Sequence, residues 1–307
     1  MSVILNHCVD NAQEILFPLW GSPAVPLFIL IQVFHFFKQT HTPRIDTLKL
    51  WKRIVKPFLV VQAILFTIWI LCYDMPIYEQ FKLLLYKGGK GPGSYYVWIY
   101  LQIAFLLPLF SSILNRINKC ASLVLFILLS QLFESLFCFL QLADYIYVLL
   151  CARYIFLIFL GFLIVKSPFI IDTKTIAISI LSLISLILFS YSKFSFWPLF
   201  YNHPHFTTCH YPCYYYIYAL LIFILIRVHH YLFFKVKILS QFICRLGKDS
   251  YTIFLSQMAF FSIMDIYPIK SWFISVVNKE FGDIIYIVFS IVVCLCPVFF
   301  PKLKEKL

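Results

Sequence analysis

The run Tyr96-Val97-Trp98-Ile99-Tyr100-Leu101-Gln102-Ile103-Ala104-Phe105-Leu106-Leu107-Pro108-Leu109-Phe110-Ser111-Ser112-Ile113-Leu114-Asn115 holds no charged side chain over residues 96–115. At about 1.5 Å per residue, a helix of this length is about 30 Å long, the thickness of a bilayer's hydrocarbon core. Comparable apolar runs recur at 22–37, 54–73, 121–141, 145–165, 174–192, 214–234, 249–265 and 283–300. The joints between them are short except at 38–53, 74–95, 193–213 and 266–282. No linker or composition shift divides the chain. The reading is therefore all-α: a single membrane-embedded domain over 1–307, built as a polytopic helix bundle of about nine complete transmembrane helices.

Composition agrees with that pattern. Of 307 residues 62% are apolar, 20% aromatic and 12% charged, against about 25% charged in an average soluble domain. Mean hydropathy is +0.90. A soluble enzyme of this length would lack the polar surface to cover its core, and disorder is excluded by the same apolar excess. The 25 Lys+Arg exceed the 13 Asp+Glu, giving a net charge of +12. That excess needs no nucleic-acid partner, because helical membrane proteins concentrate cations in cytoplasmic loops.

Charge also orients the spans. With 38–53 placed in the cytoplasm, that side holds 18 Lys+Arg, from Lys38 to Lys306. The other side holds six: Lys82, Lys87, Lys90, Lys193, Lys270 and Lys279. Arg153 is left within the membrane. This asymmetry follows the positive-inside rule and predicts an inner-membrane, multi-pass protein with a cytoplasmic C-terminus. Residues 7–21 then fall outside the cytoplasm, while Met1–Asn6 is too short and uncharged for a signal peptide. It reads as the remnant of a first helix whose start is missing, making ten helices in the intact form.

Several residues are costly at bilayer depth. Glu134, with Gln131 on the same helical face, sits within an apolar run, as does Arg153 in the following span. The two can form a structural pair between neighbouring helices, or line a polar cavity for a charged or hydroxylated ligand. Residues 88–96, Gly88-Gly89-Lys90-Gly91-Pro92-Gly93-Ser94-Tyr95-Tyr96, hold four of the eight glycines. They are either a flexible connection or a close-approach loop whose Ser94, Tyr95 and Tyr96, with Gln102 beyond, suit a sugar. His203, His205, Cys209, His210 and Cys213 cluster without standard zinc spacing. A Cys209–Cys213 disulfide is the alternative there, and the metal expectation is none. Cys72, Cys120, Cys138, Cys151, Cys294 and Cys296, inside apolar runs, read as small buried hydrophobes. His7, followed by Asp10 and Glu14, has the chemistry of a general base.

Five segments carry a likeness that spans nearly the whole chain. They are Ala24-Val25-Pro26-Leu27-Phe28; Lys52-Arg53-Ile54 with Pro57; Gly91-Pro92-Gly93-Ser94-Tyr95-Tyr96 with Gln102 and Pro108; Arg153-Tyr154 with Gly161; and Leu246-Gly247-Lys248-Asp249-Ser250-Tyr251 with Phe254-Leu255. In order and spacing they resemble the membrane acyltransferase 3 family, which includes O-acetyltransferases of surface polysaccharides. Two positions depart from the family pattern: Gln32-Val33 replaces a Ser-Gly, and Gln257 replaces a His.

The resemblance implies an integral membrane O-acyltransferase, with O-acetyl transfer foremost. It would carry an acyl group from cytoplasmic acyl-CoA to a hydroxyl of a surface glycan or its lipid-linked precursor. Acyl-CoA is then a donor substrate, with no bound cofactor; the bilayer is the other partner, and no nucleic acid is expected. Lys49, Lys52, Arg53 and Lys56 would hold the donor phosphates. His7 would act as base, its basic partner falling upstream of Met1, with Arg153 and Glu134 completing the catalytic set. Ser94, Tyr95, Tyr96, Gln102 and Gln257 would hold the acceptor. The rival readings are a glycan transporter or flippase, with Glu134 and Arg153 in the path, and an inactive structural homologue.

Overall fold

The computed structural model describes residues 4, 8, 24–39, 45–73, 76–166, 237–265, 269–277 and 279–299. These are helical almost throughout, with no strand among them. In chain order they form α1 (Ala24–Lys38), α2 (Thr47–Leu50), α3 (Lys56–Tyr73), α4 (Ile77–Lys87), α5 (Tyr95–Leu114), α6 (Lys119–Phe139), α7 (Asp144–Leu149), α8 (Ile155–Lys166), α9 (Lys237–Lys248), α10 (Ser250–Met264), α11 (Ile269–Val276) and α12 (Lys279–Phe299). A single π turn, Trp51–Val55, joins α2 to α3, and a 3-10 turn, Cys151–Tyr154, precedes α8.

Four helical stretches are long and apolar enough to cross a membrane: Thr47–Cys72, Tyr95–Leu114, Lys119–Phe137 and Phe281–Phe299. They coincide with the sequence spans at 54–73, 96–115, 121–141 and 283–300. A fifth arises if α10 and α11, bent by 71° across a short break, count as one span. The sequence count of nine is thus not reached among the described residues. The spans at 174–192 and 214–234 lie outside them. The span expected at 145–165 is not one helix: Leu150 is extended (φ −93, ψ 139), which separates α7 from the 3-10 turn and α8. At 22–37 the helix is the shorter α1.

Surface character supports the membrane setting. On α6, Leu128, Leu132 and Leu136 are spaced four apart on one face and are 61%, 60% and 44% exposed. On α12, Phe281, Ile285, Val288 and Val292 make a second exposed stripe. Such apolar faces are a liability in water and neutral against lipid tails.

The chain divides into two compact units. The first comprises Met1–Ile15, Asp46–Val97 and His229–Leu307; the second comprises Leu16–Ile45 and Trp98–Val228. In the second, α8 is the centre: Ile155 through Phe162 are all buried, against α1 and α6. A Cβ on Gly161 would collide with Val33, so α1 and α8 meet where a residue without a side chain allows it. Phe126 of α6, fully buried, lies 5.2 Å from the Phe110 ring and 5.9 Å from the Phe159 ring. In the first unit, α12 packs against both α10 and α11. Ile4, Cys8, Phe260, Phe261, Tyr286 and Cys294 form its core cluster.

Candidate functional site

In the first unit, Asp46 starts the basic segment by accepting a hydrogen bond from the Lys49 backbone N–H at 2.8 Å. The helix then widens into the π turn, where the Lys56 N–H reaches the Trp51 carbonyl. Pro57 explains the widening: it has no N–H to give the Arg53 carbonyl, so the regular ladder cannot continue there. The next carbonyl, Ile54, accepts the Tyr251 hydroxyl of α10 at 2.7 Å. Lys49, Lys52, Arg53 and Lys56 are all exposed. Their three-, one- and three-residue steps keep them on one side of the helix. Four cations thus form a stripe leading directly into the span Thr47–Cys72.

Further along α3, the glycine-rich segment is tied down by one side chain. Gln62 is buried at 1% exposure. Its Oε1 accepts the Lys90 N–H at 2.6 Å, and its Nε2 donates to the Lys90 carbonyl at 2.9 Å and to Met258 Sδ at 3.3 Å. The amide therefore completes the backbone of a loop residue as a neighbouring strand would. Gly91 permits the same closeness on the α10 side. Its φ is +94, and a Cβ there would lie 2.6 Å from the Met258 carbonyl oxygen and from Ser262 Oγ. Sequence alone places this segment at a helix mouth; the structure sets it against the middle of α3 and α10.

Lys90 runs onward from that anchor. Its ammonium sits 3.0 Å from the centroid of the Trp69 ring, a cation–π arrangement. Asp265, at the end of α10, acts on its charge. Trp69 is seven residues beyond Gln62, and Asp265 seven beyond Met258, about 10 Å in each helix. The lysine stem therefore follows both helices from their middle toward their far ends, as a snorkelling cation does. Burial pushes the Lys90 ammonium down to about 8; Asp265 opposes that shift and Lys87 adds to it.

The acceptor candidates divide by role. The Ser94 hydroxyl is buried and shared between the carbonyls of Lys87 and Gly89, each at 3.1 Å, so it closes the loop on itself. Tyr96 is buried edge-on against Phe254 at 5.5 Å, while Tyr95 is half-buried. Gln257 is buried, and its Nε2 has no hydrogen-bond partner among the described residues; nor has Ser262 Oγ. Gln102 belongs to the second unit. Its Nε2 donates to the Leu149 carbonyl at 2.7 Å and its Oε1 accepts the Cys151 N–H at 3.0 Å. It thereby satisfies the backbone groups freed by the break at Leu150.

Of the catalytic candidates, His7 lies outside the described residues. The backbones of Glu134, in α6, and Arg153, in the 3-10 turn, are described, but their side chains are not. The His203–Cys213 cluster is also outside. Sequence reasoning missed Gln62, Trp69, Ser262 and Asp265, and read Lys90 only as part of a loop. One signal was available: Gln62 is the single amide in Lys56–Tyr73, and an amide at that depth requires partners. No protein-family model, no curated protein sequence and no solved structure matches the chain.

Proposed function

We propose that the chain is an integral membrane O-acyltransferase that moves an acyl group, acetyl in the first instance, from acyl-CoA to a hydroxyl of a cell-surface glycan or its lipid-linked precursor. The observation that carries this reading is the content of one continuous helix. Its exposed stripe of Lys49, Lys52, Arg53 and Lys56 offers phosphate-binding charge. About 15 Å further along, Gln62 anchors a polar loop between apolar helices. That separation suits a donor with a phosphorylated head and an extended arm ending in a thioester.

In the proposed reaction the acceptor hydroxyl attacks the thioester carbonyl. A C–O bond forms, the C–S bond breaks, and the hydroxyl proton passes through His7 to the departing thiolate. Lys52 or Arg53 holds charge on the donor. Gln257 and Ser262 bring unspent donors to the acceptor side. The bent pair α10–α11 favours a second reading, since discontinuous spans line substrate paths in many transporters.

One experiment separates the two. Membranes containing the full chain are given isotope-labelled acetyl-CoA and isolated glycan, with acetyl transfer and glycan export measured separately. Transfer lost on deletion of the protein, with export intact, supports the enzyme. Lost export with unchanged acetylation overturns it in favour of transport. Lys52→Ala and Arg53→Ala are each expected to raise KM for acyl-CoA about tenfold with kcat little changed, as loss of one charged phosphate contact would.

A further inference from the structure

Helix α9, Lys237–Lys248, is unlike the other described helices. Its sequence, Lys237-Ile238-Leu239-Ser240-Gln241-Phe242-Ile243-Cys244-Arg245-Leu246-Gly247-Lys248, sorts cleanly around the axis. At about 100° per residue, Ile238, Leu239, Phe242, Ile243 and Leu246 share one sector, and Lys237, Gln241, Arg245 and Lys248 share the opposite one. At about 18 Å the helix is too short to cross a bilayer.

Part of its apolar sector is open: Phe242 and Ile243 are 37% and 40% exposed, and Leu246 is half-buried. Arg245 and Lys248 are exposed on the other side. Two contacts within the first unit fix its level. Phe242 stacks on Phe299, 6.1 Å between centroids, at the last turn of the span Phe281–Phe299. Directly after α9, α10 starts at Ser250, and its Tyr251 bonds Ile54 beside the basic stripe. The helix therefore lies where spans end, at the end of the unit that also carries Lys49, Lys52, Arg53 and Lys56.

We propose that α9 lies in the plane of the bilayer surface, with Phe242, Ile243 and Leu246 among the acyl chains, and that Arg245 and Lys248 bind the headgroups of anionic phospholipids. An apolar face beside a span end meets lipid tails, and a cationic face at headgroup level finds its complement in a phosphodiester. This holds whether or not the chain transfers acyl groups, because none of these residues belongs to the proposed donor or acceptor sites.

The test uses the full chain in neutral detergent, titrated with short-chain phosphatidylglycerol or phosphatidylcholine, with bound lipid counted by native mass spectrometry. Preference for phosphatidylglycerol is expected. Combined Arg245→Gln and Lys248→Gln should weaken it about 25-fold, at about fivefold per cation. The combined Lys49→Gln, Lys52→Gln, Arg53→Gln and Lys56→Gln variant should leave it in place. Equal affinity for the two lipids, a preference that follows the Lys49–Lys56 stripe, or equal displacement by inorganic phosphate overturns the proposal. A second measurement does not depend on the charge variants. Nitroxide labels at Phe242→Cys and Gln241→Cys, with the native cysteines replaced by serine, are read in bilayers. Position 242 should collide with oxygen and 241 with a water-soluble nickel chelate; equal exposure to the chelate refutes the placement.

Discussion

Gln62 shows what one polar side chain can decide inside an apolar helix. Its amide satisfies both backbone groups of Lys90 at once. Replacing it by leucine of similar size leaves an N–H and a carbonyl buried without partners, at about 1–3 kcal/mol for each. Gln62→Leu should therefore lower the thermal unfolding midpoint in detergent, while Thr67→Val on the exposed side of the same helix should barely move it. Lys90 makes a separate prediction. Its folded value of about 8 lies below the ordinary lysine value of 10.5, so between these two pH values the unfolded chain binds the proton that the folded chain has released. Its contribution to stability then rises with pH through that window and is least favourable below about 8. The ammonium over Trp69 is lost over the same rise, so Trp69 fluorescence should titrate with a midpoint near 8. The titration should vanish in Lys90→Met. A midpoint near 10 in the wild type would show that the contact does not persist.

At the scale of elements, glycine separates tolerance from failure. Gly91→Ala must place a Cβ 2.6 Å from the Met258 carbonyl oxygen at φ +94, with backbone rather than a flexible side chain in the way. Such a variant should fail to accumulate as folded protein. Gly247→Ala in α9 meets nothing within 4 Å and should stabilise by up to about 1 kcal/mol, since alanine is the better helix former. Melting the two side by side tests both statements. The elements also show where periodicity misleads. Residues 145–165 are apolar enough to read as a single span, and nothing local to Leu150 announces a break. The break is supported by Gln102, 48 positions before Leu150, whose amide takes up the exposed backbone groups. By contrast, the irregularity at Trp51–Val55 has a local cause, because Pro57 removes a donor.

For the whole molecule, lipid replaces water as the reference, and that changes what burial is worth. Phe126→Ala should cost less than the roughly 3–5 kcal/mol of a water-soluble core. The tails that solvate the unfolded span are as apolar as the core, so mainly packing is lost. Leu128→Ala, two residues on and 61% exposed, should cost almost nothing; comparable losses at both positions would argue against a lipid-facing stripe. Sidedness can be read directly by placing cysteines for a membrane-impermeant reagent. Arg53→Cys and Lys248→Cys should react from one face of sealed vesicles and Lys82→Cys from the other.

The sequence by itself determined the helical class, the membrane setting and the location of four long spans. Those rest on local quantities, namely run length, apolar content and the placement of charge, that one segment carries without its neighbours. It also located the four cations as a basic patch, though the helix that continues through Thr47–Cys72 and lines them up in one stripe came from the structure. Only the tertiary structure decided that Gln62 holds Lys90, that Gly91 presses on Met258, that Gln102 supports a broken helix and that α9 sits level with the end of α12. Each of these joins residues far apart in the chain. A hydrogen bond or a ring contact between them depends on which helices become neighbours, and apolar periodicity is silent on that choice when every face is apolar.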